Sequence, residues 1–325
     1  MAHLTELKQS NIDKIILNYN IIDFINITPI YDGIQNSNYI INTKNRKFIL
    51  TIFEDSYVID NIDFFLNLLS FCNNNKFNCP SPIIDKNNSY IYYINDKPSC
   101  IFNFLEGKSF TNNIFNIEIV GEELAKLHLI TNSFNKKIKM RFDINFFNKI
   151  IQDYNSYFLE KHSLLIQIFK KTLYEYKNLS KLNLPKAIIH GDLFPDNVFF
   201  KNTNEISGFL DFYFSDYNYL AADLAIVIIS WCFKTNKKNE YVLDYNKINN
   251  LLKGYNGLRK IQVNEIDSLL VLCKIYCMRF IFTRLLAINN DYDKSKILTK
   301  DPNEYINKFI FFNNIINFRL HIDYE

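Results

Sequence analysis

Residues 190–200 read HGDLFPDNVFF, and residues 207–212 read SGFLDF. His190, Asp192 and Asn197 follow the apolar run Ala187–Ile189, and Asp211 follows a second apolar run. Two carboxylates and an amide therefore stand at strand or loop ends, close together in the chain. Any one of them alone reads as a turn cap, a common use of Asp and Asn. Together they suit phosphoryl transfer to an alcohol, which needs an acceptor for the hydroxyl proton and oxygen ligands for Mg²⁺. Asp192 can supply the first, and Asn197 with Asp211 the second, while His190 braces the loop rather than reacting.

Such chemistry needs a scaffold large enough to hold several side chains still. The chain has 325 residues, which suggests about two domains. It is 48% hydrophobic and 16% aromatic, enough for a sizeable core. Lys and Arg total 37 against 34 acids, a net charge of +3 that argues against broad attraction to nucleic acid or to a membrane. The start, MAHLTELKQSNIDK, lacks the pattern of a secretory signal, so a cytoplasmic location is expected. The most apolar stretch, YLAADLAIVIISWCF (219–233), is too short for a membrane span and carries Asp223; it reads as a buried helix. Six cysteines at irregular spacings fit no zinc pattern and read as reduced core thiols.

The chain divides into unlike halves. FINITPIY (24–31), NYIINT (38–43) and KFILTIFE (47–54) read as strands of an antiparallel meander. In the segment 57–75, Ile62, Phe65, Leu66 and Leu69 fall on one helical face, after which SYIYYI (89–94) and SCIFNF (99–104) return to strand. Beyond FLEG (104–107), segments 119–131, 147–161 and 164–179 and most of the last hundred residues have helical periodicity. The expectation is an α+β fold of two lobes: 1–103 a small lobe with an antiparallel sheet, 104–325 a larger, mainly helical one. A ligand site belongs at the cleft between them.

The spacing D-x-x-x-x-N from Asp192 to Asn197, with an Asp between Leu and Phe fourteen residues later, matches kinase catalytic loops and their metal-binding Asp. More of the chain carries the same signal: GIQNSNYII (33–41), FILTIFE (48–54), FLEG, GEELAKLH (121–128), HGDLFPDNVFF and GFLDFYFSDYNYLAADLAIVIISWCF (208–233). In order along most of the chain, to TKDPNEY (299–305), these resemble the aminoglycoside phosphotransferase and choline kinase superfamily, and within it the bacterial homoserine kinases. The resemblance implies a bilobal, protein-kinase-like fold that uses ATP and Mg²⁺. By the same resemblance Asp192 is the catalytic base, Asn197 and Asp211 bind the metal, the hinge around Phe104 meets adenine, and the small-molecule acceptor is L-homoserine. Another alcohol acceptor (choline, an aminoglycoside, a sugar-like alcohol) or a catalytically silent binding protein is the alternative.

Two departures from the general kinase pattern stand out. The phosphate loop carries a single glycine, Gly33, leaving its backbone with Asn36, Ser37 and Asn38 to hold phosphate. Thr51 stands where such a kinase presents a lysine, a substitution shared with the homoserine kinase pattern, and Arg46 and Lys47 read as surface. For a zwitterionic acceptor, Arg279 and Arg284 inside an apolar helical run are candidates for the carboxylate, and Tyr213 and Asp216 for the ammonium; for either arginine alone, a structural ion pair with an acid such as Asp216 or Asp223 is the alternative.

Overall fold

The structure, a computed structural model, describes residues 5–31, 36–109, 116–162, 164–237, 240–289, 300–315, 318 and 320. The described residues fall into two compact units. One runs to Glu106 and takes back Gly208–Tyr213; the other holds most of the remainder, starting at Gly107. The division thus lies three residues beyond Asn103, and a short later segment, unforeseen from periodicity, returns to the first unit.

The first unit is built on five strands. Helix α1 (Gln9–Asn18) precedes β1 (Phe24–Ile30), β2 (Asn36–Thr43) and β3 (Lys47–Phe53). Then come α2 (Ser56–Asp60), α3 (Ile62–Asn74), β4 (Tyr92–Ile94) and β5 (Lys97–Asn103). The sheet order is β1-β2-β3-β5-β4, with every pairing antiparallel. Alternation sends Tyr39, Ile41, Leu50, Ile52 and Ile101 to one face, where Ile15 of α1 packs. The Asp55 carboxylate caps α2 through the Val58 amide. In α3, Ile62, Phe65, Leu66 and Leu69 are all buried, as their spacing predicts. Gly208–Tyr213 is tied to this unit by the Phe209 amide on the Asn78 carbonyl (3.1 Å) and by Phe209 against Phe77 (5.4 Å).

The second unit is mainly helical: α4 (Ile117–Thr131), α5 (Ile144–Asp153), α6 (Asn155–His162) and α7 (Leu165–Asn178) come first. Between them and α8 (Leu220–Trp231) lie β6 (Lys186–Ile189), β7 (Val198–Asn202), β8 (Glu205–Phe209) and β9 (Asp216–Tyr219). The chain closes with β10 (Phe233–Thr235), β11 (Tyr241–Leu243), α9 (Tyr245–Leu258), α10 (Val263–Asn289) and α11 (Asn303–Asn314). The segment 147–161, read as one helix, is broken at Tyr154, which caps α5 (φ −104°) and sends its hydroxyl to the Leu285 carbonyl. Helix α8 is buried through almost its whole length, as expected of an apolar run without a polar face. Among the described residues no helix is long and apolar enough to cross a membrane. Two glycines let α4 and α9 touch backbone to backbone. A Cβ on Gly121 would sit 2.1 Å from the Leu251 carbonyl oxygen, and one on Gly254 would sit 2.0 Å from that of Glu118.

Candidate active site

Strand β6 delivers His190, Gly191 and Asp192, and its partner β9 places Asp216 directly across from Ile189. The turn after β6 is sharp. Gly191 has φ +78°, and a Cβ there would meet the Phe214 carbonyl oxygen at 2.3 Å, so both conformation and space demand glycine. Asp223, on α8, pins the turn: one carboxylate oxygen accepts the His190 amide (2.7 Å), the other the Gly191 amide (2.8 Å). His128 of α4 meets the same carboxylate through Nε2 at 3.0 Å. Burial pushes Asp223 up, yet the hydrogen bonds from His128 and Gly191 outweigh it and hold the carboxyl below its ordinary value. Sequence reading offered Asp223 only as a partner for an arginine and did not single out His128. An Asp inside an otherwise apolar helix was the available signal.

The His190 ring is fully buried and its Nδ1 accepts the Asp192 amide at 3.2 Å. A short turn at Pro195–Asn197 then brings Asn197 back, so that its amide nitrogen donates to the Asp192 carbonyl (2.8 Å) and lies 3.4 Å from Asp192 Oδ2. With the nitrogen so directed, the amide oxygen is turned outward, the donor a hard divalent cation prefers. Asp211 belongs to the first unit and has φ +58°, a left-handed conformation that Asp tolerates better than most residues. Taken separately, an amide oxygen and a carboxylate are each of the oxygen type that Mg²⁺ takes.

Beside Gly191 and Arg279, the neighbours of Asp192, the second unit encloses a cavity of ≈ 20 Å³, lined among others by these two residues, Asp216, Asn218, Tyr276 and the rings of Phe142 and Phe214; Asp192 itself is not in its lining. A cavity of this size admits one water-sized group, hence the head of a ligand rather than all of it. Arg279, 3% exposed, donates from Nη1 to the Gly191 carbonyl and from Nη2 to Asp192 Oδ1 at 3.1 Å. Its Nε is buried with no hydrogen-bond partner among the described residues, and so is Asp216 Oδ1. Burial pushes the Asp192 carboxyl up to about 6 and that of Asp216 to about 7, in each case against the pull of Arg279. Two carboxylates share one cation here. The cavity wall therefore carries both an unanswered donor and an unanswered acceptor, which suits a ligand bearing both charges.

The remaining candidates lie elsewhere. Arg284 pairs with Glu304 (2.9 Å) and donates to the Asp301 carbonyl (2.5 Å), and it is not among the residues lining the cavity. Its fourfold aromatic counterpart is Arg279; Arg284 has Tyr305 at 4.4 Å and serves to dock α11. Tyr213 sits edge-on to Phe53 (5.3 Å) and Phe65 (5.7 Å) inside the first unit. In that unit Asn38 accepts the Thr51 hydroxyl (2.8 Å) and Asn36 the Glu54 amide (3.3 Å). Ser37 points to the opposite face, bonded to Glu54 (2.7 Å), which Lys97 meets at 2.5 Å. Gly33 lies outside the described residues. Phe104 follows β5, with the Lys47 ammonium 5.4 Å from its ring.

The chain is similar to known proteins over most of its length. A family model described as "phosphotransferase enzyme family" matches residues 26–256. The homoserine kinase of Bartonella henselae is 32% identical over 319 residues, covering 97% of this chain and 98% of its own. That of Rhodopseudomonas palustris is 30% identical over 321 residues, covering 98% and 97%. Among solved structures, an aminoglycoside 2'-phosphotransferase in complex with GDP superposes with a TM-score of 0.68 at 14% identity over 95% of this chain and 100% of its own. The choline kinase of Streptococcus pneumoniae gives 0.63 at 14% identity over 94% and 97%. These likenesses make the fold protein-kinase-like, an α+β chain with its antiparallel sheet in the N-terminal part. With a family model matching most of the chain, and relatives matching nearly end to end, the chain belongs to the phosphotransferase enzyme family.

Proposed function

We propose that the protein is a homoserine kinase, transferring the γ-phosphoryl group of ATP to the side-chain hydroxyl of L-homoserine in the route to threonine. The observation that carries the acceptor assignment is a pair of unanswered groups, Arg279 Nε and Asp216 Oδ1, on two residues that line one small cavity with Gly191, the residue before Asp192. A free amino acid answers both: its carboxylate takes the arginine, its ammonium the aspartate. The full-length relatives named as homoserine kinases support the same reading. Choline would leave the arginine bare and place a second cation beside it.

In this reading Asp192 accepts the hydroxyl proton as the acceptor oxygen attacks. A carboxyl lifted to about 6 is still ionised at neutral pH yet basic enough to take a proton in the transition state. His190, Asp223 and the Gly191 turn fix the direction of that carboxylate. Asn197 and Asp211 would hold Mg²⁺, which supplies positive charge to the phosphates when bound. On the first unit, Asn36, Ser37 and Asn38 lead out of the phosphate loop. Since their side chains are already bonded to β3 and its end, the loop backbone carries phosphate binding. Phe104 offers backbone groups to adenine, and we place the enzyme in the cytoplasm.

The test is a panel of acceptors (L-homoserine, L-serine, L-threonine, choline, kanamycin) with ATP and Mg²⁺, scored by product mass. A phosphorylated product from homoserine, with kcat/KM well above the others, is expected. A preference for choline would refute the acceptor assignment and leave the role of Asp192 standing.

A further inference from the structure

Arg279 stands between two anions that want it. Its Nη2 holds Asp192 Oδ1 at 3.1 Å, its Nη1 holds the Gly191 carbonyl, and its Nε has no partner among the described residues. The cation is confined: the rings of Phe142, Phe214 and Phe280 lie 4.6, 4.8 and 4.8 Å from its central carbon. The second oxygen of Asp192 is 3.4 Å from the Asn197 amide nitrogen. With no acceptor bound, both oxygens of the base are thus engaged by the protein, the nearer contact being with a full positive charge.

We propose that Arg279 makes phosphoryl transfer conditional on the acceptor's carboxylate: in its absence the guanidinium restrains Asp192, and a carboxylate seated at Nε draws that hold away and frees the base. This rests on the reading of Asp192 as base and of the cavity as the acceptor site. The geometry supplies the exchange. A carboxylate approaching Nε meets a planar fork in which Nη2 lies beside Nε, so a two-pronged hydrogen bond competes for the donor that Asp192 uses. Even where both carboxylates keep a hydrogen bond, they divide one positive charge in a site largely withdrawn from water. Asp192 Oδ1 then turns from α10 to the acceptor hydroxyl. The proton passes to that carboxylate, the acceptor oxygen bonds to the γ-phosphorus of ATP, and the bond to the β–γ bridging oxygen breaks with its electron pair leaving on ADP. Water brings no carboxylate, so it leaves the restraint in place and ATP is not hydrolysed idly.

A carboxylate that merely anchored the acceptor would stabilise ground and transition states alike, and its loss would raise KM alone. A carboxylate that releases the base must act on kcat. The experiment uses the purified full chain with ATP and Mg²⁺ and compares L-homoserine with 3-aminopropan-1-ol, which has the same hydroxyl and ammonium but no carboxylate. We expect kcat for the amino alcohol to be lower by about 30-fold or more, part of the usual value of general-base assistance. In Arg279→Met, hydrolysis of ATP without acceptor should rise, and the two acceptors should converge in kcat. Equal kcat for both acceptors on the wild-type enzyme, with only KM raised, would overturn the inference while leaving the homoserine reading intact. No phosphorylated product from homoserine would overturn both. Should the variant not fold, the wild-type comparison of the two acceptors in kcat decides by itself.

Discussion

Replacing Asp216 by Asn keeps the shape of the side chain and removes its charge, and the expected result is an enzyme that is more stable and binds its acceptor badly. Asp216 is 8% exposed, and burial raises its carboxyl to about 7 against the pull of Arg279. A carboxyl whose folded pKa exceeds its unfolded one holds its proton more tightly when folded. The sign follows: stability is fullest below about pH 4 and is lost as pH rises to about 7, beyond which the loss is complete. The ceiling on that loss is about 4 kcal/mol for a shift of roughly three units. Asp216→Asn should therefore melt above wild type at pH 8, by about 2 to 5 °C, and show no such gain at pH 4. Acceptor binding should move the other way. Removing one partner of a buried ion pair costs about 2 to 5 kcal/mol, which is roughly 30-fold to several-thousand-fold in KM for homoserine. In the wild type only ionised Asp216 meets the ammonium, so KM should be about tenfold higher at pH 6 than at pH 8, and the Asn variant should lose this dependence. Steady-state kinetics at fixed ATP and Mg²⁺, with melting curves at both pH values, check each part. A KM within threefold of wild type at pH 8 would refute the assignment of the ammonium to Asp216.

Asp192→Asn should leave a folded protein that binds ATP while kcat falls by a factor on the order of 10² to 10⁴, measured by product formation and by nucleotide titration. Arg284→Ala should leave KM for homoserine unchanged and lower stability by about 1 to 3 kcal/mol in denaturant melts, because its Glu304 pair is only partly withdrawn from solvent. Gly254→Ala should cost more than 3 kcal/mol by the same measurement, since its Cβ would press on the Glu118 carbonyl and neither helix backbone can yield. A milder loss would mean that α4 and α9 can part.

What sequence reading reached and what it missed divide along a physical line. The turn from His190 to Asn197 was legible because its polar residues stand within one short segment and bond to one another, the Asp192 amide to His190 and Asn197 to Asp192; the bonds that pin it from a distance, from Asp223 and Arg279, were not legible. The five-stranded sheet was legible because period two survives without knowledge of partners. Direction at a distance was not. Arg279 and Arg284 lie five residues apart on one helix, and periodicity cannot say which turns inward when the helix is covered on several sides. The structure separates them by what lies opposite: Gly191 and Asp192 for the first, Glu304 for the second.

The same limit applies at the phosphate loop. Asn36, Ser37 and Asn38 are consecutive, so the pleat must send the middle one to the face away from its neighbours. Ser37 pairs across the sheet with Ile52 and joins the Glu54–Lys97 cluster on the α1 side, whereas Asn38 lies opposite Thr51 and receives its hydroxyl. Substitution of Thr by Lys at 51 would accordingly lose a satisfied hydrogen bond before adding any charge. The Thr–Asn pair occupies the position of the usual cation as a neutral, closed contact. On the proposed reading no lysine at 51 meets the phosphate charge, so nucleotide affinity should depend on Mg²⁺ more strongly than in a kinase that keeps the lysine, which nucleotide titration with and without Mg²⁺ checks.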